Sequence, residues 1–111
     1  MKLLDPTVAA RAAAAPNPTR PATAVIHDSD DVRLVVFRLA PGQQVPPHHS
    51  VSTVILRVLE GSGILSGADG AERNCVAGDT MVYEPNEQHG MRSEGEELLL
   101  LATITPGPGS R

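Results

Sequence analysis

Gly42-Gln43-Gln44-Val45-Pro46-Pro47-His48-His49-Ser50 opens on a glycine turn, enters a strand-like run and delivers a histidine. Further along, Gly78-Asp79-Thr80-Met81-Val82-Tyr83-Glu84-Pro85-Asn86-Glu87-Gln88-His89 does the same. Between them lies an apolar run from Val54 to Leu59 whose β-branched content favours a strand. Gly-Asp and Pro-Gly steps reverse the chain because glycine tolerates positive φ and proline presets the preceding bend. Two histidine-bearing strands therefore flank an apolar one.

Working outward, residues 24–27, 32–39, 45–48, 53–59, 64–66, 72–76, 80–84, 89–92 and 97–105 read as strands. Turn residues separate them at 28–31, 41–42, 60–63, 69–70 and 77–79. The leucine run 98–101 would also suit a helical turn, but Thr103, Ile104, Thr105 and Pro106 after it favour a strand. Short strands at such spacing predict an all-β fold, a barrel or jelly roll. Residues 1–22 differ: Asp5-Pro6 is a helix start, residues 7–15 are alanine-rich, and Pro16, Pro18 and Pro21 end the helix and extend the chain. So short a helix is unstable alone, so it docks on the body or on a partner chain, or frays. The expected organisation is a helical arm and linker at 1–22, a barrel at 23–105 and a flexible tail at 106–111.

Composition bounds the function. A chain of 111 residues is one domain, and with Phe37, Tyr83 and no tryptophan its core must be filled by Val, Leu, Ile and Ala. That favours a tight β structure over a large cavity. A net charge of −4 without a basic cluster argues against nucleic acid as a partner. Cys75, the single cysteine, excludes an intramolecular disulfide, reads as a small strand residue and fits a reducing cytoplasm. Met1-Lys2-Leu3-Leu4 begins like a signal peptide, but Asp5, Pro6 and Arg11 interrupt any apolar stretch. No run approaches the ~18 apolar residues of a membrane span. The expectation is a soluble, cytoplasmic protein.

The two glycine-led segments resemble the motifs of the cupin superfamily. The first family motif is a glycine, five residues, His-x-His, three or four residues, a glutamate, six residues and a glycine. Here Gly42 precedes His48 at that spacing and Gly61 closes the motif within Val58-Leu59-Glu60-Gly61, but Ser50 holds the second histidine position and Val54 the glutamate position. The second motif runs from Gly78-Asp79 to His89, with Pro85 one position late, Asn86 in place of a glycine and Ser93 in place of the usual asparagine. The resemblance spans about residues 24–105. It implies a small RmlC-like jelly-roll barrel, commonly dimeric, whose histidines in the complete pattern join a carboxylate around a divalent metal.

Strand alternation places His48 and Ser50 on one face and His49 on the other. With His48 inward, the inward set is His48, Ser50, Val54 and His89. Serine is a poor ligand and valine is none, so two imidazoles and water would hold Zn, Ni, Fe or Cu weakly. Met91, on the His89 face, offers a thioether suited to copper, and His49 joins only if a bulge after Pro46-Pro47 shifts the register. Of Tyr83 and Glu84, one points inward. The candidate metal ligands are thus His48 and His89, with His49 or Met91 in addition, and the pocket residues are Ser50, Val54, Leu56, Tyr83 and Met91. The alternative is that His48 and His89 are a residual pair without metal, hydrogen-bonded to Ser50 or water.

Three functions follow from these residues: a small cupin binding a small molecule in its barrel, with or without a weakly held divalent ion; a metal-dependent dioxygenase or isomerase using His48 and His89; or a ligand-free structural or regulatory barrel. Whether the chain is an enzyme stays open. Val54, Leu56 and Val58 are expected to face inward and Ile55, Arg57 and Leu59 outward. Two outward apolar side chains and the alanine-rich helix together predict a homodimer.

Overall fold

A computed structural model describes residues 1–108. It contains a helix, α1 (Pro6–Ala12), and the strands β1 (Ala22–Asp28), β2 (Arg33–Leu39), β3 (Gln44–His48), β4 (Thr53–Ser66), β5 (Glu72–Val76), β6 (Thr80–Tyr83), β7 (His89–Arg92) and β8 (Leu98–Thr105). Every pairing is antiparallel, in the order β1-β2-β8-β4-β7-β3, with β5 and β6 also on β4. One layer holds β1, β2, β8, β6 and the first part of β4, and the other holds β3, β7, β5 and its end. This is the expected all-β jelly roll.

The long β4 joins the layers. Residues 60–63 read as a turn, yet the strand continues through them with a register shift between Val58 and Glu60. Gly61 makes this possible. Its φ is +80°, and a Cβ there would lie 1.9 Å from the Glu97 carbonyl oxygen. A residue without a side chain bends the strand where a turn would have reversed it.

Alternation along β4 sends Val54, Leu56 and Val58 into the core, where they meet Leu65, Leu98 and Leu100. The opposite face carries Ile55, Arg57 and Leu59. Here α1 decides the outcome. The Asp5 carboxylate caps the helix by accepting from the Val8 amide at 3.1 Å. Ala10 then packs against Val36 and Leu99, and Leu59 joins that cluster. Arg38 donates to the Ala10 and Ala13 carbonyls at 3.3 and 2.8 Å, satisfying the helix end. Arg11 pairs with Glu60 and with Glu97. The helix thus docks on its own barrel, and Leu59, expected to await a partner chain, is covered by it.

At the far end, Ser52 Oγ donates to the Pro106 carbonyl at 2.8 Å and the Gly107 amide donates to Asp30 at 2.9 Å. Residues 109–111 of the expected flexible tail lie outside the described residues.

Candidate functional site

The site is built where β3 and β7 meet. Pro46 and Pro47 lack amide hydrogens and cannot donate to the ladder, and the register shifts between Val45 and His48. After the shift His48 stands directly opposite His89. Their ring centroids are 4.2 Å apart, edge to face.

Each imidazole is oriented by its own chain. His48 Nδ1 lies 3.0 Å from the Pro46 carbonyl oxygen and His89 Nδ1 lies 3.3 Å from that of Glu87. A ring nitrogen facing a carbonyl carries the hydrogen, so Nε2 of each neutral ring keeps its lone pair. His48 is exposed at the rim, whereas His89 is only 4% exposed. Burial lowers the His89 pKa from its ordinary 6.5, and nearby His48 and His49 push the same way against the Glu87 carbonyl. His89 is therefore neutral at pH 7.

Beneath the pair is a cavity of about 80 Å³, lined by Phe37, His48, Ser50, Val54, Leu56, His89, Met91, Ala102 and Ile104. Of the residues expected in the pocket, Ser50, Val54, Leu56 and Met91 line this cavity. Tyr83 does not line this cavity. It is buried with its ring 5.1 Å from His89 and its hydroxyl donating to the Ser66 carbonyl at 2.9 Å. Burial, helped by Cys75 and Glu87, pushes its pKa up to about 12. Glu84, the outward alternative, is exposed. His49 is also exposed and lines no part of the cavity, because the bulge precedes His48 and leaves His48 facing His89. Phe37, Ala102 and Ile104 escaped notice, although the alternation of β2 and β8 puts them on the inward faces opposite Val54 and Leu56.

The donor set limits the chemistry. The pair offers two imidazole nitrogens, Nε2 of His48 and of His89, and Ser50 and Val54 occupy the positions where further ligands would be needed. Among the described residues, no three or more His, Cys, Asp or Glu side chains come together as a metal site. The residues fit an ion held by two imidazoles and water, and they do not fit the three-ligand catalytic centres built from histidines and a carboxylate. Also among the described residues, no helix is long and apolar enough to cross a membrane.

The sequence profile of the Cupin domain matches residues 35–105. Similar solved structures include an uncharacterized conserved protein with a double-stranded β-helix domain from Klebsiella pneumoniae, 21% identical, covering 96% of this chain and 91% of that one, at a TM-score of 0.84. A protein from Thermus thermophilus is 25% identical over 96% of this chain and 98% of its own, at 0.82. An RmlC-like cupin from Desulfovibrio desulfuricans is 27% identical over 86% of this chain and 91% of its own, at 0.76. No curated protein matches the sequence.

Proposed function

The chain belongs to the cupin family, and we propose that its barrel binds a small, largely apolar molecule, with His48 and His89 as the polar anchors at the mouth. The observation that carries this reading is the facing imidazole pair over an apolar cavity of about 80 Å³. That volume is far below the ~300–1,000 Å³ of pockets for larger ligands, so the occupant is small or inserts only one end. Apolar walls with a few convergent polar groups are the usual composition of such sites. A divalent ion is a second occupant of the pair, weakly held through the two Nε2 atoms. It would supply an electrophile at the mouth; the chain's own part is to hold both imidazoles aimed through the Pro46 and Glu87 carbonyls.

Metal analysis of protein prepared without a histidine tag, then titration with Fe(II), Ni(II), Cu(II) and Zn(II), tests this second part. One weak site is expected, lost in His48→Ala or His89→Ala and kept in His27→Ala. Val54→Glu, which puts a carboxylate into the cavity beside the pair, should tighten it. Stoichiometric metal retained in the His48→Ala, His89→Ala double variant contradicts the assignment.

The protein is further proposed to act as a homodimer in the cytoplasm. Across the outer face, Leu34, Thr103, Ile55 and Val82 stand in one register row over β2, β8, β4 and β6. Val82 is 55% exposed, and none of the four belongs to the cluster beneath α1. Beside the row, the exposed Arg57 side chain has no acceptor among the described residues. A two-fold copy would cover the row and offer Arg57 a carboxylate. Cys75, free and buried, suits a reducing compartment.

A further inference from the structure

A second cavity is larger than the one beneath the histidines. A cleft of about 500 Å³ opens between the linker that follows α1 and strands β1, β2 and β3. Strands β1 and β3 are the two ends of the sheet path, so the sandwich is open on this side. Phe37 and Val45 form the inner wall. They pack against the core from one side yet remain partly exposed on the other. Phe37 also lines the histidine cavity, which makes it a wall shared by the two spaces.

The cleft carries an uncommitted positive charge. Arg11, Arg33, Arg38 and Arg92 all engage carboxylates. Arg20 lines the cleft and its guanidinium has no acceptor among the described residues. Among the described residues no acidic side chain lines the cleft, although the chain carries a net charge of −4. Arg20 is also presented by an ordered turn. The Asn17 side chain accepts from the Thr19 amide and hydroxyl at 3.0 and 2.7 Å, and the Arg20 amide donates to the Asn17 carbonyl at 3.3 Å. Gln43 Nε2 donates to the Pro18 carbonyl at 3.0 Å, tying this turn to the β2–β3 connection. Pro21 and Pro46 stiffen the rims.

We propose that this cleft is a second ligand site, which takes a small organic carboxylate with an apolar body. The carboxylate pairs with the Arg20 guanidinium, whose planar fork matches two oxygens. The apolar body lies on Phe37 and Val45, and the Gln44 side chain at the rim supplies a neutral polar contact. The volume falls within the ~300–1,000 Å³ typical of small-molecule sites, unlike that of the histidine cavity. The site is independent of the histidine pair and of any metal.

The test titrates the full-length chain with benzoate and hexanoate, and with benzamide as a neutral isostere, following backbone and arginine side-chain resonances by NMR. Saturable shifts are expected at Arg20, Phe37 and Gln44 with the carboxylates, weakened by added salt. Benzamide, and benzoate with Arg20→Gln, should bind about tenfold more weakly or worse, the scale of a charge-assisted hydrogen bond. The His48→Ala, His89→Ala double variant should bind benzoate as the parent does, which separates this site from the histidine reading. The proposal is overturned by no saturable shift with either carboxylate, by equal binding of benzamide, by unchanged affinity in Arg20→Gln, or by shifts centred on His48 and His89.

Discussion

His48 and His89 are a register pair on neighbouring strands, and each ring is held by a backbone carbonyl two residues before it in sequence, Pro46 for one and Glu87 for the other. Both imidazoles are therefore anchored by nearby backbone, in β3 for His48 and in the turn before β7 for His89. Variants elsewhere in the cavity should change what binds without turning the rings. Four consequences of the fold and the site can be measured before any ligand is known.

Tyr83 is the one tyrosine in a chain without tryptophan, so the phenolate absorbance of the whole protein reports a single group. Its midpoint should lie at about 12 because burial disfavours the phenolate. A spectrophotometric titration with a midpoint near 10, under conditions where circular dichroism shows native structure, would place the hydroxyl in solvent and contradict the packing beside His89.

His89 should make stability fall as the solution is acidified. Its folded pKa lies below 6.5, so the unfolded chain takes up the proton first as pH drops. The slope of unfolding free energy with pH is then positive for this group. Its contribution is lost progressively from about pH 6.5 downward and levels off below the depressed folded value. Urea midpoints measured across that range should fall less steeply in His89→Gln than in the parent. Parallel curves for the two proteins would contradict the buried, neutral imidazole.

The two faces of β4 and its glycine bend give graded stability effects. Leu56 is 1% exposed, and Leu56→Ala should cost about 2–5 kcal/mol, the range for a truncated core leucine. Gly42 and Gly61 share a positive φ, but a Cβ at Gly42 meets nothing within 4 Å whereas one at Gly61 meets the Glu97 carbonyl. Gly42→Ala should cost only the ~1–2 kcal/mol of a left-handed alanine, and Gly61→Ala distinctly more. Equal losses in chemical denaturation would show that β4 does not bend against β8 at this point.

The strands were legible because their residues alternate against one buried face, and β5 and β7 fall where turn chemistry and apolar spacing put them. The reading of 60–63 as a turn missed the bend because glycines mark both, and only the partner strand tells them apart. Which apolar face α1 would cover was equally hidden, since Leu59 and Ile55 look alike along the chain; only the docked helix separates them. At the candidate site, motif spacing singled out His48 and His89, which the register sets opposite each other, while Phe37, Ala102 and Ile104 belong to strands distant in sequence and enter the cavity only through the register of β2, β8 and β4.

Assembly is testable through the uncovered row. Light scattering should return twice the chain mass for the parent and the chain mass for Ile55→Asp or Val82→Asp, with far-ultraviolet circular dichroism unchanged. A parent protein of monomer mass at micromolar concentration would contradict the dimer. So would dimeric Ile55→Asp and Val82→Asp variants.

The most direct measurement is the long-range proton–nitrogen NMR spectrum of the imidazoles in uniformly labelled protein at pH 7. The account predicts that His48 and His89, in their neutral form, carry the hydrogen on Nδ1, with Nε2 unprotonated in both. It further predicts that zinc added in increments moves both Nε2 resonances together and saturably, with no such response from His27. Neutral rings protonated on Nε2, or zinc that shifts one ring of the pair without the other, would contradict the joint role of His48 and His89.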